Sequence, residues 1–144
     1  MSMEGTHLIC EKCSNMFRRE RAEILTPEAA YGYFRAMASA KVERLVALYL
    51  TTAGRPIRRA TIAIGTLNTT SAHPREILRP GIACAADSYV IAHNHPSGSL
   101  RPSQDDLDFT RKLISASRLV GIELKDHLIV SRNGYTSLRE SGLI

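Results

Sequence analysis

Cysteine is scarce in this chain. Only Cys10, Cys13 and Cys84 occur among 144 residues, and an odd count without secretory features excludes a disulfide framework. Long apolar runs are missing too: none approaches the ~20 residues of a membrane span. The opening "MSMEGTHLICEKC" lacks the basic start, apolar middle and small-residue cleavage site of a signal peptide. A cytoplasmic protein with no membrane partner is therefore expected. There is no internal repeat and no low-complexity block. His-Glu-x-x-His is absent as well, which excludes the common helical zinc proteases.

What remains is ordinary in bulk. Hydrophobic residues make up 44% and charged residues 23%, enough for one domain with its own core. The net charge is +5 and the pI about 9.4. That charge is spread over single arginines such as Arg55, Arg58, Arg59, Arg75 and Arg79, and acids interrupt the one tight cluster, "FRRERAEI". A solvated basic surface is the simpler reading, with nucleic acid kept as an alternative partner.

Periodicity places the elements. Residues 1–24 have no clear apolar period and are expected to form an arm, followed by a domain over 25–144. "LTPEAAYGYFRAMASA" predicts a helix capped by Thr26, with Pro27 at its first position and Ala30, Phe34 and Met37 on one face. "ERLVALYLTT" and "IRRATIAIGT", joined by "AGRP", predict a hairpin of two long strands. "HPREILRPGIACAADS" predicts a helix that Pro80 should kink or divide. "YVIAH" is fully apolar and predicts a central strand. Ser103 should start the longest helix, with Phe109, Leu113, Ala116 and Val120 on its apolar face and Gly121 at its end. "IELKDHLIVS", "RNG" and "YTSLRE" complete the chain as strand, turn and strand. The order β-β-α-β-α-β-β predicts an α/β chain of the α+β type, a mixed sheet flanked by helices.

The stretch "IAHNHPSGSLRPSQDDLDF" carries the chemistry. His93 and His95 stand at i and i+2 at a strand end, so both imidazoles point to one face. Pro96 and Gly98 turn the chain, and Asp106 in the first turn of the next helix can reach back. Two histidines and a carboxylate suit zinc with a fourth position left for water. Ser103-x-x-Asp106 is also a helix-capping pattern, and the two readings are compatible, because the cap would hold Asp106 in place. A cytidine-deaminase reading fails: it needs His-x-Glu and a later Pro-Cys-x-x-Cys.

The run "HNHPSGSLRPSQDD" resembles the metal motif of the JAMM (JAB/MPN) metalloprotease superfamily. "GTLN", "HPREI", "HNHPSG", "PSQDD" and "DHLIV" resemble its RadC-like bacterial branch, from about Leu25 to the C-terminus. The resemblance implies the α-β-α sandwich shared with cytidine deaminases, and a domain without the helix-hairpin-helix segment that RadC proteins usually carry. It implies zinc on His93, His95 and Asp106, with a metal-activated water attacking a peptide or isopeptide bond of a protein substrate. It makes Ser103 the motif serine, a donor to the developing oxyanion, and it requires a glutamate as proton acceptor. Glu43, at the entrance of the strand "ERLVALYL", matches that glutamate in position; Glu76 in "HPREI" is the other candidate. A role in DNA repair or mobile elements is the alternative, which salt-dependent DNA binding would favour. A partner-binding module using the N-terminal arm is a third.

Other features read more plainly. His127 is expected to be structural or to support the site, with Asp126 orienting one of its ring nitrogens. His73 belongs to a loop, and Cys84 reads as a small core residue. His7, Cys10 and Cys13 lack a fourth ligand nearby, so they make a zinc site only if a second chain completes it.

Overall fold

The chain is described by a computed structural model over residues 23–65 and 72–144. His7, Cys10 and Cys13 lie outside the described residues, as does all of "GTLN" except Gly65. Thr26 caps helix α1 (Pro27–Phe34) by accepting from the Ala29 amide at 3.2 Å. A 3-10 turn over Arg35–Ser39 continues it. Ala30, Phe34 and Met37 are all buried, the face that the sequence predicts.

Five strands make one mixed sheet: β1 (Arg44–Leu50), β2 (Pro56–Ile64), β3 (Ser88–Asn94), β4 (Glu123–Ser131) and β5 (Gly134–Ser137), in the order β2-β1-β3-β4-β5. β3 is central and buried at every residue. It runs antiparallel to β1 and parallel to β4. The parallel pair is joined by a crossover through helix α3 (Gln104–Val120). Helix α2 (Pro74–Ala83) follows β2.

Two apolar layers fill the two faces of the sheet. Leu45, Ala47, Tyr89 and Ile91 pack with Ile77 and Leu78 of α2 and Leu113 of α3; Val46, Leu48, Val90 and Ala92 pack with Ala30, Phe34 and Met37. Helices thus cover both faces, giving the expected α-β-α arrangement.

Three elements need correction. α2 is not divided at Pro80 but runs on to Ala83. Pro80 gives up only the amide that would have closed on Glu76, and the helix ends three residues later, so the defect falls in the last turn. The helix also stops well short of Ser88. Ala85 takes φ +52°, its amide returns to Ile82 and the Ala86 amide to Gly81, a Schellman closure with alanine in the glycine position. The last strand is shorter than "YTSLRE". Beyond Ser137 the amides of Arg139 and Glu140 go to the Asp126 carboxylate and the Ser137 hydroxyl, which bends the chain into turns.

The third correction concerns α3. Leu113 is fully buried and Phe109 and Ala116 pack partly buried against the same layer, as expected, but Val120 is 44% exposed. The buried row of this helix is Asp106, Thr110, Leu113 and Ser117. Three of these four are polar, and each of the three bonds to the sheet or contacts its histidines: Asp106 at His93, Thr110 at His127, Ser117 at Tyr89. The Tyr89 hydroxyl lies 2.5 Å from Ser117 Oγ, and burial pushes its pKa up to about 12. Hydrophobic periodicity cannot register a face buried through hydrogen bonds.

Candidate metal centre

The site forms at the C-terminal end of β3, where ligands gather in open α/β sheets. His93 lies on the α3 side of the sheet, in line with Tyr89 and Ile91. His95 follows just past the strand, its amide bonded to the Val130 carbonyl at 2.9 Å. Their Nε2 atoms stand 2.7 Å apart. Asp106 completes the cluster: Oδ1 is 3.2 Å from His93 Nε2 and Oδ2 is 3.4 Å from His95 Nε2. Among the described residues these three offer ligand atoms within 4.8 Å of one another.

Each group is held by its surroundings. Ser103 Oγ accepts from the Asp106 amide at 3.1 Å, and Asp106 Oδ2 accepts from the Ser103 amide at 2.7 Å. This capping box fixes the carboxylate in the first turn of α3. His95 Nδ1 meets the Ser99 carbonyl at 3.2 Å. A carbonyl can only accept, so Nδ1 carries a hydrogen and Nε2 is the atom turned to the cluster. Burial works to raise the pKa of Asp106, but hydrogen bonds from His93 and His95 outweigh it and hold the carboxyl well below the usual carboxylate range. For His95, the hydrogen bond to Asp106 is the largest cause and raises its pKa against the effect of burial; the charge of Glu43 adds to the rise.

Glu43 reaches the site through strand register. Leu45 pairs with His93 across β1 and β3, and Glu43 lies two residues before Leu45, where its charge acts on His95. Asn94, between the histidines but on the other face, braces this entrance. Its Oδ1 accepts from the Arg44 amide at 2.7 Å, and its Nδ2 donates to the Val42 carbonyl at 3.1 Å and the Ala40 carbonyl at 3.4 Å. Asn94→Ala strips partners from these part-buried groups. It should cost about 1–3 kcal/mol, measured by denaturant unfolding against wild type; an unchanged midpoint would refute the brace. Glu76 lies on α2, paired with Arg75 at 3.3 Å and Arg79 at 3.8 Å.

The turn after His95 is clamped from β4. Arg132 donates to the Pro96 carbonyl at 3.2 Å and the Ser97 carbonyl at 3.1 Å, while Ser131 and Asn133 donate to the Gly98 carbonyl at 3.1 and 2.8 Å. Gly98 is required there: its φ is +89°, and a Cβ would stand 2.6 Å from the Arg132 guanidinium. The sequence predicts only a turn at "RNG", because nothing local in Arg132 or Asn133 points to a loop more than thirty residues away.

A second miss concerns the pair Asp126-His127. The carboxylate does not orient the ring. It accepts from the His127 backbone amide at 2.8 Å, the Ser137 hydroxyl at 2.5 Å and the Arg139 amide at 3.1 Å. The ring instead meets Thr110 Oγ1 at 2.6 Å through Nδ1 and His93 Nδ1 at 2.8 Å through Nε2. Burial holds the pKa of His127 well below that of a free histidine. Of the remaining residues, His73 stands ahead of α2 without a side-chain cap bond, and Cys84 caps the other end of that helix, partly buried.

Two imidazole nitrogens and a deprotonated carboxylate, converging at the mouth of a sheet, form a donor set suited to a first-row metal such as zinc. The comparisons agree with this geometry. The family model described as "RadC-like JAB domain" matches residues 24–143. The chain belongs to the RadC-like JAB domain family. A UPF0758 protein of Bacillus mycoides is 40% identical over 127 residues, covering 88% of this chain and 56% of the relative. One from Symbiobacterium thermophilum is 36% identical over 143 residues, covering 99% and 60%. One from a Geobacillus strain is 45% identical over 102 residues, covering 71% and 45%. The chain thus spans about half the length of the curated relatives it matches. Among the described residues of this RadC-like chain, no helix is long and apolar enough to cross a membrane.

Proposed function

We propose that this RadC-like domain is a zinc-dependent hydrolase of peptide or isopeptide bonds in a protein substrate. The observation that carries the reading is the convergence of His93 Nε2, His95 Nε2 and the Asp106 carboxylate, with the charge of Glu43 acting on the same cluster. His93, His95 and Asp106 would hold the zinc. When bound, zinc supplies Lewis-acid polarisation of a carbonyl and lowers the pKa of a water from about 15.7 to about 7.

The protein's own residues do the rest. Glu43 accepts the proton of the attacking water and returns it to the leaving amine. Ser103 uses its oxygen to accept from the Asp106 amide, which leaves its hydroxyl hydrogen to donate to the substrate carbonyl as negative charge develops. One preorganised donor of this kind contributes about 3–4 kcal/mol. Glu76 is less suited to the base role, since two arginines engage its carboxylate on the surface of α2.

Elemental analysis of the purified protein tests the reading. One zinc per chain is expected in wild type and none in His93→Ala, whose neighbours His95 and Asp106 cannot hold the ion alone. Metal-dependent cleavage of a fluorogenic peptide library by wild type, abolished by chelation and restored by zinc, is the matching activity. Stoichiometric zinc in His93→Ala would overturn the ligand set, and wild type without metal would overturn the reading as a whole.

A further inference from the structure

His127 lies 34 residues from His93 in sequence, yet its ring is buried and bonded to the ring of that residue. The bond directions along this chain can be worked out from Thr110. Its hydroxyl has one hydrogen and two partners, the Asp106 carbonyl and His127 Nδ1, each at 2.6 Å. A carbonyl can only accept, so Thr110 gives its hydrogen to Asp106. It must then accept from His127, whose Nδ1 carries the ring hydrogen. Among the described residues the His127 ring bonds to no carboxylate, so a buried imidazolium there would lack a contact counter-charge and the ring is neutral. Its Nε2 therefore holds a lone pair, which accepts from His93 Nδ1–H at 2.8 Å. The remaining nitrogen of His93, Nε2, is the one turned to His95 and Asp106, and in the neutral ring it is the nitrogen with the lone pair.

We propose that Thr110 and His127 form a relay that fixes the tautomer of His93, so that Nε2 is the atom offered to the metal. Both are positioning residues: neither touches the ligand point, and both act through His93. The relay begins and ends at the site, because the Asp106 whose carbonyl sets the direction also supplies the carboxylate. His95 reaches the same state by a shorter route, through the Ser99 carbonyl. This explains why Asp106 and Thr110, on one face of α3, are buried although polar. The inference rests on the metal reading for its consequence, but not for the bond directions.

Two measurements on the intact chain test it, neither of them activity. The first is nitrogen–proton correlation NMR of ring-labelled histidine, with and without zinc. His127 should be the Nδ1–H tautomer in both, and His93 should be Nδ1–H in the zinc-loaded protein; an Nε2–H tautomer at His127 would overturn the relay. The second is zinc affinity by chelator competition. Loss of an outer partner of a metal-bound histidine typically weakens affinity about 10–100-fold, and His127→Leu should fall in that range. Thr110→Val should lose affinity in the same direction. His127→Gln can accept from His93 Nδ1–H through its side-chain carbonyl and should stay close to wild type. Leucine binding zinc as tightly as wild type, or glutamine failing as badly as leucine although folded by circular dichroism, would sink the proposal. Wild type that binds no zinc would instead sink the metal reading, a result distinct from any of these.

Discussion

Glu43→Gln should keep one zinc per chain and lose hydrolysis by about 10²–10⁴-fold, the usual contribution of a positioned general base. The amide is nearly isosteric with the carboxylate but cannot take a proton from water. Glu43 sits at the entrance of β1, and its charge helps raise the pKa of His95. The substitution removes the charge without touching the cluster of His93, His95 and Asp106. Turnover of the peptide substrate, normalised to bound zinc, gives the answer. A variant with wild-type turnover would remove Glu43 from the mechanism and return attention to Glu76.

Asp106→Asn should separate two duties of one side chain. As a cap, asparagine still accepts from the Ser103 amide, so α3 should lose only the helix-dipole term of about 0.3–1 kcal/mol. As a ligand, it loses the anionic oxygen, and zinc affinity should fall by more than the ~100-fold that marks outer-partner effects. The two readouts, thermal unfolding of the metal-free protein and chelator competition, should therefore diverge; parallel losses would mean that Asp106 acts only as a cap. pH dependence gives the same separation. Hydrogen bonding to Asp106 raises the pKa of His95, so in the metal-free protein a proton occupies His95 to higher pH than on a free histidine. That proton competes with zinc. Affinity should be greatest above the raised pKa and fall as pH drops through it. In Asp106→Asn the raising partner is gone, so the fall should move to lower pH.

Much of the site was legible because its parts are local. The two-residue repeat of a strand aims His93 and His95 to the same side whatever surrounds them. Ser103 and Asp106 satisfy each other across one turn of helix, so the capping box needs no tertiary partner. The apolar face of α1 and the glycine at the end of α3 follow from spacing alone. In the same way, an apolar run such as "YVIAH" asks to be buried on both faces, and β3 is the central strand.

Only the tertiary structure decided who holds these groups. Asn94, Arg132 and Asn133 look like turn or spacer residues, and their roles depend on chain segments 35–54 residues away. The clearest case is "KDHLIV". On a regular strand Leu124 and His127, three residues apart, would face opposite sides. At the register shift between Tyr89 and Val90, β4 spends one extra residue, Lys125, so Leu124 pairs with Tyr89 and Asp126 with Val90. That step turns His127 toward α3, where Leu124 already packs in the α2–α3 layer, and leaves Asp126 to Ser137 and Arg139. A single inserted residue in one strand thus chose Thr110 and His93, not Asp126, as partners of the His127 ring. By itself the sequence determined which residues could bind a metal. The sheet register determined which side chains hold them in place, because register depends on pairing between strands distant in sequence and not on any local pattern.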